Sequence, residues 1–142
     1  MALPLQSLCP LLQVFDMAKS LAFYRDILGF VAVQASPPAD QVGPDRHDWV
    51  WLRCDGAELM LNTRYDPDDV RPPVPDASRV AAHDDTALFI GCPDVDGVYA
   101  HLLAHHVAVK APKVAPYGMK QLYVKDPDGF SLCFQWPAAS TA

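Results

Sequence analysis

Asp55-Gly-Ala-Glu-Leu-Met-Leu-Asn62 aligns without gaps on Asp128-Gly-Phe-Ser-Leu-Cys-Phe-Gln135, in the opposite half of the chain. Both stretches open with Asp-Gly, which is a strong signal for a tight β-hairpin turn. Each follows another run of strand character, Trp49-Val-Trp-Leu-Arg53 or Lys120-Gln-Leu-Tyr-Val-Lys125. The sequence therefore predicts two related β-hairpins, one in each half of an internal repeat.

The repeat extends upstream of the hairpins. In each half, an apolar strand leads to an aspartate, Asp16 or Asp94, that can cap a following helix. Apolar residues at helical spacing predict these two helices, and a short strand follows each of them, at 30–33 and at 107–109. The stripes are Met17, Leu21, Tyr24 and Leu28 in the first helix, and Val95, Val98, Tyr99, Leu102 and Leu103 in the second. The predicted fold class is α+β, with two tandem βαβββ modules at 7–63 and 86–136.

The segment 64–85 between the modules is predicted to be a connector. The chain contains 14 prolines, and several of them fall in Asp66-Pro-Asp-Asp-Val-Arg-Pro-Pro-Val-Pro75. Such a run opposes both helices and strands. A chain of 142 residues is long enough for one domain with a sizeable core, so we expect a single domain over 1–142.

Composition excludes several classes of partner. With 17 acidic and 11 basic residues, the chain carries a net charge of −6, which argues against a nucleic-acid partner. No apolar run approaches the roughly 20 residues of a membrane span, and the amino end does not resemble a signal peptide. The four cysteines are scattered along the chain and form no CxxC pair. In an intracellular protein we expect them to be reduced thiols. We expect a cytoplasmic protein with neither a membrane nor a nucleic-acid partner.

The duplicated βαβββ pattern resembles the vicinal oxygen chelate superfamily, which includes glyoxalase I, extradiol dioxygenases, fosfomycin-resistance enzymes and bleomycin-resistance proteins. Val14-Phe-Asp-Met-Ala-Lys-Ser-Leu-Ala-Phe-Tyr-Arg-Asp-Ile-Leu-Gly-Phe30 is similar to the first helix of the family, and Tyr117-Gly-Met-Lys-Gln-Leu-Tyr-Val-Lys-Asp-Pro-Asp-Gly-Phe130 to its closing hairpin. The resemblance implies mixed sheets that curve around a central small-molecule cavity, and family members often form homodimers. It does not fix the activity, because the superfamily contains lyases, transferases, dioxygenases and plain binding proteins.

Family enzymes hold a metal at four equivalent strand positions, typically with His or Gln, Glu, His and Glu. The resemblance places Cys9, Met60, Ala87 and Cys133 at these positions. A Lewis-acidic metal needs imidazole or oxygen ligands, which this set lacks. We therefore expect no cofactor, and a divalent metal only if its site is displaced. A thiophilic ion on Cys9, Met60 and Cys133, or a reactive thiol, is an alternative to the simpler role of pocket filler.

Strand alternation assigns the remaining residues to two faces of each sheet. One parity is purely apolar and is expected to pack against the helices. The other mixes indole and phenol rings with amides and charges, as small-molecule pockets do. On this second parity, the predicted ligand-binding residues are Gln13, Trp49, Trp51, Arg53, Glu58, Met60, Asn62, Phe89, Gln121, Tyr123, Cys133 and Gln135. Arg53 and Glu58 could instead pair with each other across the hairpin.

The sequence is compatible with three functions. The first is a metal-independent binder of the bleomycin-resistance type, which in that family holds a cationic, flat, partly aromatic drug. The second is a glyoxalase-like lyase or a dioxygenase with a displaced metal site, to which Glu58, Asn62, Gln13, Gln135 and His47 would contribute. The third is an interaction protein that uses its tryptophan face as an interface. Homodimerisation is expected in each case.

Overall fold

A computed structural model of the chain describes residues 1–37, 45, 47–63, 65 and 71–139. The chain forms two compact units, Met1–Pro73 and Val74–Ala142, here called the amino-terminal and carboxyl-terminal units. Each unit contains one four-stranded mixed sheet and its helices, so the predicted α+β class is confirmed. Within the described residues, no helix combines the length and the apolar character needed to cross a membrane.

The amino-terminal unit begins with strand β1 and the helix that Asp16 caps. The Asp16 side chain accepts a hydrogen bond from the Lys19 amide at 3.3 Å, as the sequence predicts. The sheet has the strand order β1-β4-β3-β2, with β1 parallel to β4 and the other pairs antiparallel. Its elements are β1 (Leu11–Val14), α1 (Met17–Leu21) with a π-helical continuation (Ala22–Ile27), β2 (Val31–Ala35), β3 (Trp49–Cys54) and β4 (Ala57–Thr63).

The carboxyl-terminal unit repeats this arrangement with the strand order β5-β8-β7-β6. Strand β5 is parallel to β8, and the hairpin of β7 and β8 is antiparallel. The Asp94 side chain caps the main helix by accepting from the Gly97 amide at 2.9 Å. The elements are α2 (Ala77–Ala82) with a 3-10 turn (His83–Asp85), β5 (Ala87–Gly91), α3 (Val95–Ala104), β6 (Lys113–Val114), β7 (Met119–Lys125) and β8 (Ser131–Pro137).

The apolar strand faces form the core of each unit, as strand alternation predicts. Helix α1 packs on β4, and α3 packs on β7 and β8. Ten of the predicted helix-facing residues are buried: Leu12, Val14, Val50, Leu52, Leu59, Leu61, Leu122, Val124, Leu132 and Phe134. Leu88 and Ile90 of β5 are half-buried. Burying these side chains supplies the main favourable term in folding each unit.

The predicted strand at 107–109 is wrong. Helix α3 ends where His106 takes a left-handed conformation with φ 59°, and the Val107 amide bonds to the Leu102 carbonyl at 3.0 Å. The chain then runs irregularly and forms its short edge strand at Lys113–Val114, in register with Gln121 and Lys120 of β7. The position of this strand is therefore determined by its pairing with β7, and not by the apolar residues at 107–109.

The predicted connector 64–85 contains a helix that the sequence pattern does not predict. Asp76 caps α2 by accepting from the Ser78 and Arg79 amides at 2.9 and 3.2 Å. The His83 ring that follows stacks on Phe130 with 3.9 Å between ring centroids. The segment 77–85 is therefore part of the carboxyl-terminal unit, while positions 64 and 66–70 of the predicted connector lie outside the described residues.

Candidate functional site

The second face of the amino-terminal sheet displays rings, amides and one ion pair. The register places Trp49 opposite Asn62, Trp51 opposite Met60, and Arg53 opposite Glu58. Gln13 of β1 lies opposite Asn62 from the other side. Trp49, Trp51, Met60 and Asn62 are half-buried on this face, an exposure that would let a ligand contact their side chains.

Arg53 and Glu58 pair with each other across the hairpin. The Arg53 Nε donates to Glu58 Oε1 at 2.6 Å, and the guanidinium carbon lies 5.2 Å from the centre of the Trp51 ring. Of the two alternatives that the sequence leaves open for this pair, the structure adopts mutual pairing. The charges offset each other, and the guanidinium rests on the indole in a cation–π arrangement.

Trp51 has an unsatisfied hydrogen-bond donor. Its Nε1 is buried and makes no hydrogen bond to any described residue. A buried donor without an acceptor costs about 1–3 kcal/mol. A bound molecule could supply the acceptor only by displacing the groups that cover Nε1, whereas the accessible part of the half-buried ring offers a flat packing surface directly.

Cys9 lies near the same ion pair but is not a thiolate. Partial burial, reinforced by the negative charge of Glu58, raises the pKa of the Cys9 thiol, and Arg53 offsets this only in part. The thiolate is the nucleophile and the metal ligand. Cys9 therefore lacks the activation that a reactive, nucleophilic cysteine requires.

The second face of the carboxyl-terminal sheet is organised around Tyr123 and Gln121. Cys133 lies between Phe89 and Tyr123 in the register, and the rings of Phe89 and Tyr123 meet edge to face at 6.2 Å. Gln121 Nε2 donates to Gln135 Oε1 at 2.9 Å and to the Tyr117 hydroxyl at 2.8 Å. Phe89, Tyr123 and Tyr117 are exposed, whereas Cys133, between Phe89 and Tyr123, is fully buried.

Burial raises the pKa of the Cys133 thiol, and a hydrogen bond with Tyr123 offsets this only in part. We therefore expect Cys133 to react with iodoacetamide more slowly at pH 8 than a free thiol of ordinary pKa, with alkylation rising only at higher pH. Peptide mass spectrometry of a time course at pH 8 and pH 10 measures this, with Cys92 as the internal comparison. Complete alkylation of Cys133 at pH 8, ahead of Cys92, would contradict its role as a buried filler.

A cleft of about 890 Å³ opens beside this face. Its walls are the irregular segment 107–111, the edge strand β6, and residues of β7 and β8. Two predicted ligand-binding residues, Gln121 and Tyr123, line it. Its size falls within the range of clefts that hold small organic ligands.

A smaller cavity of about 230 Å³ lies in the amino-terminal unit, away from the predicted face. Arg71 lines it, pairs with Asp16 at 3.4 Å, and places its guanidinium carbon 5.2 Å from the centre of the Phe15 ring. His47 also lines it, and its Nδ1 bonds to the Ser36 carbonyl at 2.6 Å. Arg71 was not predictable as a pocket residue from the sequence, because nothing in its proline-rich surroundings marks it.

The four family metal positions do not fit a Lewis-acidic metal. Each unit contributes two of them, Cys9 and Met60 in one and Ala87 and Cys133 in the other. Two protonated thiols, a thioether and a methyl group supply neither imidazole nor carboxylate. Among the described residues, no group of three His, Cys, Asp or Glu side chains is placed to hold a metal ion.

Three of the five residues proposed for a displaced metal site, Glu58, Gln135 and His47, have other partners. Glu58 binds Arg53, and Gln135 accepts from Gln121. The Ser36 carbonyl can only accept, so His47 Nδ1 carries the proton of that hydrogen bond. Glu58 and His47 also line different features of their unit: Glu58 the second face of the sheet, and His47 the smaller cavity.

These features define a two-unit βαβββ protein whose strand faces carry pocket-like side chains, and comparison with known proteins agrees. Residues 7–134 match the Glyoxalase/Bleomycin resistance protein/Dioxygenase superfamily. The chain belongs to this superfamily, as its resemblance to the vicinal oxygen chelate pattern implies.

Individual similar proteins include an uncharacterized protein, an antibiotic binding protein and a lyase that shares the fold. The chain is 32% identical over 120 residues to the uncharacterized protein YaeR of Escherichia coli K12, covering 82% of this chain and 84% of YaeR. It is 27% identical to TnmS3, an antibiotic binding protein from Streptomyces sp. CB03234, with a TM-score of 0.63 over 96% of this chain and 100% of TnmS3. Lactoylglutathione lyase from Agrobacterium tumefaciens, at 20% identity and a TM-score of 0.63 over 93% and 94% of the two chains, shares the fold.

Proposed function

We propose that this protein binds a small, partly aromatic organic molecule on the second faces of its sheets, without a metal. The observation that carries the proposal is the chemistry of those faces. Half-exposed rings and amides surround strand positions whose side chains are protonated thiols, a thioether and a methyl group. Such a surface can hold an organic molecule by packing and hydrogen bonds, but it provides no Lewis acid.

Two further observations support binding over catalysis. The half-buried Trp51 indole offers ring surface on which a flat molecule can pack. TnmS3, at 27% identity, is described as an antibiotic binding protein. The displaced-metal enzyme requires Glu58, His47 and Gln135 to exchange their present hydrogen-bond partners for a metal, which makes it the weaker proposal.

Metal removal is the first test. We expect elemental mass spectrometry to find well under one transition-metal ion per chain. We also expect prolonged EDTA treatment to change the melting temperature by no more than about 1 °C, because a ligand that is not bound contributes no stability to the native state. Stoichiometric zinc, nickel or iron, together with a large loss of stability in EDTA, would refute metal independence.

A thermal-shift screen of planar aromatic compounds is the second test. Uncharged compounds that stabilise the wild type should lose most of their effect in Trp51→Leu, which removes both the indole surface and its unsatisfied donor. Trp136→Leu is the matched control, because Trp136 has the opposite strand parity to Cys133 and Gln135. Equal loss in both variants would contradict the assignment of Trp51 to a binding face.

Homodimerisation is proposed on a separate observation. Leu3, Leu5 and Leu8 are 70, 82 and 89% exposed along the amino-terminal segment, and Leu11 of the edge strand β1 is also exposed. Apolar side chains displayed in sequence beside a sheet edge are typical of contacts with another chain. Light scattering after gel filtration should give twice the monomer mass at micromolar concentration, and a mass of one chain would refute the dimer.

A further inference from the structure

The large cleft of the carboxyl-terminal unit has a charge opposite to that of the whole chain. Lys110, Lys113 and Lys125 all line it, and no described lining residue carries a carboxylate. The chain as a whole has a net charge of −6. Concentrated positive charge in a cleft of an acidic protein attracts anions locally, because low-dielectric walls focus the field there.

Two of the three ammonium groups are available to a ligand. Lys125 pairs with Asp84, which is itself exposed. Lys110 and Lys113 make no ion pair with any residue that the structure describes, and both project from the irregular segment and edge strand that form one wall. An anion entering the cleft would therefore meet two uncompensated cations.

The remaining lining suits the body of a flat organic molecule. Val107, Val109 and alanine methyl groups line the cleft, together with the exposed ring of Tyr123. Burial raises the pKa of the Tyr123 hydroxyl, so this group stays protonated and neutral well above pH 7 and does not repel an anion. Apolar walls with a few convergent polar groups are typical of specific small-molecule sites.

We infer that this cleft binds an organic anion, of which a planar aromatic carboxylate is the simplest example, with Lys110 and Lys113 facing the carboxylate and Tyr123 contacting the ring. The inference rests on the proposed function, because it names the ligand class of one of the proposed faces. It differs from the cationic drug implied by resemblance to bleomycin-resistance proteins.

Calorimetric titration with 2-naphthoate and its cationic analogue naphthalen-2-ylmethylammonium tests the assignment. We expect the wild type to bind 2-naphthoate with an affinity that falls as salt is raised, and to bind the cation at least tenfold more weakly. The double variant Lys110→Gln, Lys113→Gln should weaken 2-naphthoate binding by about tenfold, the factor that corresponds to losing one strong charged contact.

The matched control is Lys19→Gln, Lys120→Gln, which removes the same number of charges outside the cleft. It should retain wild-type affinity for 2-naphthoate within about twofold, because neither lysine lines the cleft and exposed charges are screened by salt. Equal weakening in both double variants, tighter binding of the cation, or no binding of 2-naphthoate would overturn the anion assignment. Those outcomes are distinct from failure of the proposed function. The proposed function is tested separately, by the compound screen with Trp51→Leu in the amino-terminal unit.

Discussion

Replacing Tyr24 with alanine should lower the free energy of unfolding by about 3–5 kcal/mol, the range for removing a fully buried large side chain. Tyr24 is 0% exposed in the π-helical continuation of α1. Its ring meets Phe23 and Phe30 edge to face, with centroid distances of 5.0 and 6.0 Å. Loss of the ring therefore removes two aromatic contacts as well as buried apolar area.

Two controls isolate the ring. Tyr24→Phe keeps both edge-to-face contacts and should cost much less than the alanine variant. Tyr117→Ala makes the same chemical change at a side chain that is 70% exposed, and should alter stability by less than about 0.5 kcal/mol. Urea denaturation followed by circular dichroism measures all three variants. A Tyr24→Ala variant as stable as Tyr117→Ala would contradict the assignment of Tyr24 to the core.

The repeated Asp-Gly stretches allowed much of the architecture to be predicted from the sequence. Once the two hairpins are aligned, alternation determines which face every residue of β3, β4, β7 and β8 occupies, and the buried set follows. Alternation is reliable here because a strand has a period of two and one face is strongly apolar. The pairing of Trp51 with Met60 and of Tyr123 with Cys133 depends on the same register.

Features set by tertiary contact were not predictable in this way. Helix α2 follows a proline-rich run, and it is held by contacts with the β7–β8 turn. Val80 of the helix lies against Gly129, and His83 of the following 3-10 turn stacks on Phe130. Edge strand β6 is placed by pairing with β7 rather than by its own residues. A short segment that is stabilised mainly by tertiary contacts has only a weak secondary-structure pattern in its own sequence.

The charge of the large cleft was missed for a related reason. Lys110 lies in an irregular segment, where strand alternation assigns no face, and Lys113 opens a two-residue strand that the sequence did not predict. The net charge of −6 indicated a protein that repels anions, because it sums the charges over the whole chain. A local cluster can oppose the global balance, and it is the local field that a small ligand meets.

Replacing Asp126 with alanine should destabilise the carboxyl-terminal unit by about 2–4 kcal/mol, since two buried amides would lose their acceptor at once. Asp126 is 5% exposed at the end of β7, and its Oδ1 accepts from the Asp128 and Phe130 amides, both at 2.9 Å. Backbone bonds between Asp126 and Phe130 and between Gly129 and Asp126 close the same turn.

The position matters for function because this turn fixes the register of the β7–β8 hairpin. A slip of one residue would exchange the two faces and move Tyr123 and Gln121 away from the cleft they line. Asp126→Asn retains an oxygen that can accept both amide bonds, and should cost less than half as much as the alanine variant. Hydrogen exchange resolved over 119–137, together with urea denaturation, measures both effects. Equal exchange rates in the wild type and Asp126→Ala would show that the backbone bonds hold the turn without the carboxylate.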